Sequence, residues 1–403
     1  MGVSVVLMFS IIASLSLAIL WREGLLRSTR NLMAASFFLA FAIIIRIFSL
    51  DHETLDYVNF LSRWVEYFRQ NGGFAALSGE VGNYNVPYLY FLALFSYFKI
   101  PDLYLIKILS IFFDVILAWG VMKTVAHFKS GSTRMLFAFF GTLLLPTVLL
   151  NGAYWGQCDS IYVAFAVWSI YFAVSDRPKL SVVFIAISFA FKLQAIFVMP
   201  VFFILLFTRR IKFSHLFLFP AAYLVIITPA VLLGRPFIET LTLYFSQADS
   251  VGSGLNYNSP SVFALFHTSE NIGMWASMGI AVAFLYILVI YAWLWFRKNS
   301  VTDEVLLTVT LIFSIAVPFF LPHMHDRYFF SADIFALIFA LVFPRMLPIP
   351  LLVSFGSLLG YHAYLREAYL LPMGYGALAM IFALFMALIE LVQSVNVRQQ
   401  YKV

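Results

Sequence analysis

Long apolar runs alternate with short polar segments along almost the whole chain. A helix of about 20 apolar residues crosses the hydrocarbon core of a bilayer, so this pattern predicts an all-α polytopic membrane protein. The runs lie near residues 3–20, 31–50, 84–98, 103–122, 135–150, 160–174, 180–207, 214–233, 275–296, 304–321, 329–343, 347–362 and 373–394.

Two of these runs have unusual lengths. As a helix, the run at 84–98 reaches only about 22 Å against roughly 30 Å of hydrocarbon, which favours an interfacial or re-entrant segment. The run at 180–207 would reach about 40 Å, and it is interrupted by Lys192 and Pro200. We therefore expect the longer run to form a hairpin of two short helices that turns at Lys192.

The charged residues set the expected orientation. With the short run kept out of the bilayer, 16 of the 25 Lys and Arg residues fall in loops on one side, which the positive-inside rule assigns to the cytoplasm. This predicts about 13 transmembrane helices, with the N-terminus outside and the C-terminus inside. Of the 19 acidic residues, 14 fall outside or in the outer parts of helices, so we expect the site on the extracytoplasmic face.

Composition leaves little room for a soluble domain. The chain is 63% hydrophobic and 11% charged, with a mean hydropathy of +0.94, and we expect one integral membrane domain over 1–403. Its expected parts are N-terminal helices (1–50), an outer loop (51–98), a helical module with a long outer loop (99–274) and C-terminal helices (275–403). The net charge of +6 follows from the cytoplasmic loops, so no nucleic-acid partner is expected.

The first long polar interruption follows Asp51. From Asp56 to Gln70 the sequence has a helical period with one apolar and one polar face, which is typical of a helix lying on a membrane surface. Gly72 and Gly73 end this helix. We expect the outer loop 51–98 to carry such amphipathic helices beside the membrane.

Polar residues of the predicted outer face, taken in order, resemble the signatures of the GT-C superfamily of lipid-dependent glycosyltransferases. The matching residues are Asp56 with Tyr57 and Trp64; Tyr84, Pro87 and Leu89, with Val86 in place of a first proline; Trp155, Gly156, Gln157, Asp159 and Ser160; Lys192; and His325, Asp326, Arg327 and Tyr328, with Asp326 in place of the usual glutamate. The resemblance is nearest to bacterial relatives of the GPI-anchor mannosyltransferases and extends to endoplasmic-reticulum glucosyltransferases that use dolichyl-phosphate-glucose.

This resemblance implies a GT-C-like helical bundle and a hexosyltransferase, mannosyltransferase- or glucosyltransferase-like. Enzymes of the superfamily move a sugar from a polyprenyl-phosphate donor to an acceptor hydroxyl, usually with inversion. The implied partners are that donor, a glycan or glycolipid acceptor such as a cell-wall polysaccharide, and the bilayer. A bacterial plasma membrane is the expected location.

An inverting transfer needs a base for the acceptor proton and a cation for the departing phosphate. Asp56 is the expected base, and Asp51 is its rival. The alternative role for Asp56 is that of a helix N-cap. Asp159, with Gln157 and Trp155, is expected to bind sugar or acceptor hydroxyls; the alternatives are an N-cap for Asp159 and an interfacial position for Trp155.

Lys192 is a cation within an apolar run, which is costly unless it faces a polar partner. The donor phosphate is the expected partner, and snorkelling to the interface is the alternative. His323, His325 and Arg327 form a second cationic group, since guanidinium forks match phosphate oxygens. Arg46 and Arg366 are further phosphate candidates, or they snorkel.

No cofactor is expected. A divalent metal held by the two histidines and Asp326 is the less favoured alternative, because no further histidine or cysteine has fitting spacing.

Two other functions stay open: a transporter or flippase of lipid-linked sugars, and a polysaccharide polymerase or ligase that uses a diphosphate-linked donor. Transporters often show repeated halves and charges near the midplane, whereas here the charges gather at one face and no repeat is visible.

Overall fold

A computed structural model describes residues 2–249, 252, 254–266 and 270–400, without the side chains of 246–249 and 397–400. The chain is 78% helical with almost no sheet, which confirms the predicted all-α class. The α-helices of the described residues are α1 (Val3–Arg22), α2 (Thr29–Ser49), α3 (Ser62–Gln70), α4 (Val86–Phe95), α5 (Asp102–Phe128), α6 (Ser132–Leu143), α7 (Pro146–Val148), α8 (Asp159–Val174), α9 (Pro178–Phe191), α10 (Val201–Phe207), α11 (Leu218–Leu232), α12 (Phe237–Asp249), α13 (Ile272–Trp295), α14 (Asp303–Phe320), α15 (Phe330–Val342), α16 (Pro348–Leu365) and α17 (Met373–Gln400).

Nine helical segments among the described residues are long and apolar enough to cross a membrane. They are Val3–Arg22, Thr29–Ser49, Asp102–Phe128, Ser132–Trp155, Phe213–Leu232, Ile272–Trp295, Asp303–Phe320, Pro344–Leu365 and Met373–Asn396. This confirms a polytopic membrane protein. The total of 13 spans and the orientation in the membrane stay predictions.

The two runs of unusual length form short helices. The short run forms α4, whose ten residues reach only about 15 Å. The long run is broken at Lys192, where α9 ends at Phe191 and a 3₁₀ turn over Leu193–Phe197 begins. The seven-residue α10 follows. The break expected at Lys192 is therefore confirmed, while the hairpin and the interfacial or re-entrant position of the short run stay predictions.

The chain forms two compact units. The first comprises Met1–Trp168, Val183–Leu193 and Leu218–Ser250, and the second comprises Ser169–Val182, Gln194–Phe217 and Val251–Val403.

In the first unit, α5 is the most buried of the long apolar helices, with 72% of its apolar 18-residue stretch buried. It packs against α6, α1 and the π-helical segment Leu149–Trp155. A second apolar cluster joins α4, α9, α11 and α12 through Val86, Ala190, Ile227 and Tyr244.

The segment 51–98, predicted to be an outer loop, is folded as part of this unit. A π-helical turn over Tyr57–Leu61 leads into α3, whose Val65 and Phe68 are fully buried. The amphipathic helix predicted for this segment is therefore confirmed. It ends because Gly72 and Gly73 adopt positive φ of 83° and 64°, the left-handed region that favours glycine.

In the second unit, α14 is the most buried of the long apolar helices, with 83% of its apolar 18-residue stretch buried. It packs against α13, α15 and α17, and α16 packs against α15 and α17. Two short parallel strands, β1 (Asn256–Tyr257) and β2 (Met324–His325), pair the long loop with the turn after α14.

Candidate active site

Asp56 lies just before the π-helical turn that leads into α3. Its backbone is already helical, with φ −62° and ψ −39°, and its side chain makes no capping hydrogen bond to the described residues. Asp56 therefore does not cap this turn through its side chain. The side chain is half-buried and faces the loop between α7 and α8.

Two donors from that loop converge on one carboxylate oxygen of Asp56. The indole Nε1–H of Trp155 donates to Asp56 Oδ2 at 2.9 Å, and the side-chain amide Nε2–H of Gln157 donates to the same oxygen at 2.5 Å. Trp155 is fully buried and Gln157 is 4% exposed. Together they fix the orientation of the carboxylate, and the Trp155 ring that supplies one of the two donors is buried inside the protein.

The backbone that carries Trp155 and Gln157 is π-helical and then turns sharply, and Pro146 and Gly156 mark its two ends. Pro146 separates α6 from the π-helical segment Leu149–Trp155, and Gly156 closes that segment with a φ of 84°. The backbone carbonyl of Gln157 accepts a hydrogen bond from the Ser110 hydroxyl at 2.6 Å, and its N–H donates to the carbonyl of Asn151 at 2.8 Å. Short π-helical segments occur often at functional sites, and here one lies on each side of the Asp56 contact.

Tyr84 connects this contact to the ion pair of Lys192 and Asp159, which is described next. Its hydroxyl donates to Gln157 Oε1 at 3.2 Å, and the Lys192 ammonium lies 5.6 Å from the centre of its ring. The ring also packs edge-on against Trp64, with centroids 5.6 Å apart. The Tyr-x-x-Pro segment noted in the sequence therefore supplies a contact to the site.

Lys192 forms a buried ion pair with Asp159. The two side chains are 9% and 2% exposed, and Asn151 Nδ2 donates to the other carboxylate oxygen of Asp159 at 2.7 Å. In this structure Lys192 thus neutralises a carboxylate, which is the polar partner that its position demanded. The Lys192 side chain is 9% exposed and paired with Asp159, so it is buried in the protein rather than extended towards solvent.

The end of α9, immediately before Lys192, is held by side chains from other helices. Asn85 Nδ2 donates to the carbonyl of Ala190 at 2.9 Å, and the Tyr244 hydroxyl donates to the carbonyl of Phe189 at 2.8 Å. These bonds satisfy carbonyls that a helix leaves unpaired at its C-terminus. They fix the position from which Lys192 reaches Asp159.

Asp51, the rival base, lies apart from this network. It is exposed, and its carboxylate accepts a hydrogen bond from the Tyr104 hydroxyl at 2.5 Å. Tyr57, next to Asp56, is unsuited to act as a base because burial and the nearby Asp102 and Glu53 carboxylates raise its pKa to about 12.

Lys107 is a buried cation that the sequence reasoning missed. Its ammonium donates to the carbonyls of Ser49, Leu50 and His52 at 2.7, 3.0 and 2.6 Å. It therefore caps the C-terminus of α2 and holds the start of the segment that leads to Asp56. Its presence within the apolar run of α5 was the available signal, because an intramembrane lysine needs a polar partner.

Arg46 is paired elsewhere in the first unit. Its guanidinium donates to Asp114 Oδ2 at 2.8 Å, and the Ser160 hydroxyl donates to the other oxygen at 2.5 Å. Arg46 and Asp114 are 2% and 0% exposed. The structure thus gives Arg46 a buried carboxylate as its partner and does not bring it to Asp56.

In the second unit, both histidines of the turn after α14 contact the segment 254–257. His323 has a φ of 61°. Its Nδ1 donates to the carbonyl of Gly254 at 2.7 Å, since a carbonyl can only accept. The His325 ring stacks on Tyr257 at 4.7 Å.

Two arginines of this unit were also expected to bind phosphate. Arg327 lies 3.5 Å from the carboxylate of Asp326, whereas Arg366 is exposed at the end of α16. Within the described ranges, no three His, Cys, Asp or Glu side chains come together as a metal site requires.

Comparison with known proteins identifies the family. The model of glycosyltransferase family 87 matches residues 83–322, well over half of the chain, and no curated protein matches. The matched stretch contains Tyr84, Gln157, Asp159 and Lys192, while Asp56 precedes it. The family match and the helices long and apolar enough to cross a membrane support the same conclusion. The chain is a membrane glycosyltransferase that belongs to glycosyltransferase family 87.

Proposed function

We propose that this protein transfers a hexose from a polyprenyl-phosphate-linked donor to a glycan or glycolipid acceptor, with inversion and with Asp56 as the general base. The Asp56 carboxylate removes the proton as the acceptor oxygen attacks the anomeric carbon. The bond between that carbon and the phosphate oxygen breaks at the same time, and the phosphate leaves with the electron pair. We place this reaction on the extracytoplasmic face of a bacterial plasma membrane.

The observation that carries the assignment of the base is the pair of hydrogen bonds from Trp155 and Gln157 to Asp56. A general base works best when its carboxylate is held at one angle to the incoming hydroxyl. Asp56 combines this orientation with a half-buried position that a substrate can reach. Asp159 is 1% exposed and neutralised by Lys192, and exposed Asp51 lies in a different set of contacts.

Phosphate binding is proposed separately for each unit. In the first unit, a phosphate would have to compete with Asp159 for the ammonium of Lys192. In the second unit, Arg327 and His325 offer a guanidinium and an imidazole, both suited to phosphate oxygens. The polyprenyl-phosphate donor and the kinship with GPI-type mannosyltransferases rest on the order of these residues in the chain.

The test is sugar transfer by the purified protein in nanodiscs. Polyprenyl-phosphate mannose and glucose serve as donors and octyl hexosides as acceptors, with a chelator present. We expect transfer by the wild type, and a loss of at least a hundredfold in Asp56→Asn with donor binding retained.

Asp51→Asn is the matched control, since it changes another carboxylate of the same loop, and it should keep its activity. Loss of transfer in Asp51→Asn and not in Asp56→Asn would reverse the assignment. Transfer only from diphosphate-linked donors, or transport of the lipid-linked sugar without transfer, would overturn the proposed function. Loss of activity on chelation would show a metal requirement that this proposal does not include.

A further inference from the structure

Gln157 meets Asp56 with one end of its amide and Tyr84 with the other. A carboxylate oxygen can only accept hydrogen bonds, so the NH₂ group must face Asp56, where Nε2 and Oδ2 lie 2.5 Å apart. The opposite end, Oε1, accepts from the Tyr84 hydroxyl at 3.2 Å. The side chain of Gln157 is therefore anchored at both ends, and its backbone is anchored by Ser110 and Asn151.

The Tyr84 ring is itself fixed by its neighbours. Trp64 and Tyr88 lie 5.6 and 4.9 Å from it, centre to centre. Lys192 lies 5.6 Å from the ring centre, a distance at which an ammonium attracts the face of an aromatic ring. A hydroxyl carried on such a ring has little freedom, so the bond to Gln157 has a defined direction.

We infer that Tyr84 is a positioning residue for the general base. It acts through the Gln157 amide on the Asp56 carboxylate and does not touch the reacting atoms. This inference rests on the proposed function for its catalytic consequence, while the coupling between Tyr84 and Gln157 is independent of that function. Without the Tyr84 hydroxyl, the Gln157 amide is held only at the end that faces Asp56. The Asp56 carboxylate then rotates more freely.

Tyr84→Phe tests this inference, because it keeps the ring and its contacts with Trp64 and Lys192 and removes only the O–H group. Loss of one neutral hydrogen bond that orients the base should lower kcat about fivefold and leave the donor KM within about twofold of the wild type. Tyr90→Phe is the matched control. Its hydroxyl bonds to the Ile226 carbonyl at 2.9 Å and to the Ala230 N–H at 3.2 Å, so it should lower Tm and leave kcat unchanged.

A double-mutant cycle separates action through Gln157 from a general effect on packing. In the Gln157→Leu background, adding Tyr84→Phe should leave kcat unchanged within about twofold, because the path to Asp56 is already gone. A further fivefold loss in the double variant would overturn the inference, as would a rise in KM with an unchanged kcat.

The same cycle measured on Tm keeps the inference testable if the proposed function fails. If the wild type transfers no sugar from any polyprenyl-phosphate donor, the proposed function is wrong. The two substitutions should still be non-additive in Tm, since one hydrogen bond joins them. Additive Tm changes would overturn the coupling itself.

Discussion

The ammonium of Lys192 pairs with the carboxylate of Asp159, and both groups are buried. The lysine stands at the break after α9, and the aspartate opens α8. Asn151 binds the second oxygen of the carboxylate. The pair therefore fixes the break in the chain at Lys192 against the loop that holds Trp155 and Gln157.

Lys192→Met should destabilise the protein strongly, because it leaves the Asp159 carboxylate buried without its counter-charge. Removing one partner of a buried ion pair costs about 3–5 kcal/mol in the free energy of unfolding. The measurement is Tm in detergent, read from tryptophan fluorescence. The double variant Lys192→Met/Asp159→Leu should regain much of the loss, since it removes both charges; a single variant as stable as the wild type would show that the pair contributes nothing.

Much of this fold follows from the sequence. The helix break at Lys192 was predictable because a charge interrupts a run too long for one span. The amphipathic helix after Asp56 was predictable from its period, and its end from Gly72 and Gly73. Each of these features depends on residues that are close together in the sequence, so a local pattern is enough to predict it.

The pairing of charges is a different matter. Asp159 and Lys192 are 33 residues apart, and Arg46 and Asp114 are 68 residues apart. No local pattern says which cation meets which carboxylate, because the choice depends on how the helices pack. For this reason Arg46 and Lys192 were each expected to meet a phosphate or to snorkel, and Asp114 was given no partner. The hydrogen bonds from Trp155 and Gln157 to Asp56 depend on packing in the same way.

Trp155→Phe should lower kcat about tenfold with little change in KM, because it removes one of the two donors that orient Asp56 and keeps most of the ring volume. The measurement is steady-state transfer from the polyprenyl-phosphate donor. Trp119→Phe is the matched control: its indole N–H donates to Glu23 at 3.2 Å, away from Asp56, so kcat should not change. Equal losses in both variants would mean that the effect is one of packing.

Gly156→Ala should lower stability by about 1–2 kcal/mol, because a residue with a Cβ is strained at a φ of 84°. The turn that presents Gln157 to Asp56 would shift, so we also expect reduced transfer. Gly273→Ala is the control, since a Cβ there meets nothing within 4 Å. The control should match the wild type in Tm; a similar Tm for Gly156→Ala would mean that the turn tolerates the change.

Arg46→Gln separates a structural role from a phosphate-binding role for this arginine. Arg46 and Asp114 are 2% and 0% exposed, so breaking the pair should cost about 3–5 kcal/mol. Asp114→Asn should cause a comparable fall in Tm, because it removes the same interaction from the other side.

A phosphate-binding Arg46 gives a different pattern. In that case Arg46→Gln would raise the donor KM at nearly constant Tm, and Asp114→Asn would not raise it. Because the guanidinium donates through Nε and Nη2 to Asp114 and through Nη1 to the carbonyl of Ala42, each of its three nitrogens already has an internal acceptor. We therefore expect the Tm of both variants to fall together, with a donor KM that stays near that of the wild type in the fraction that remains folded.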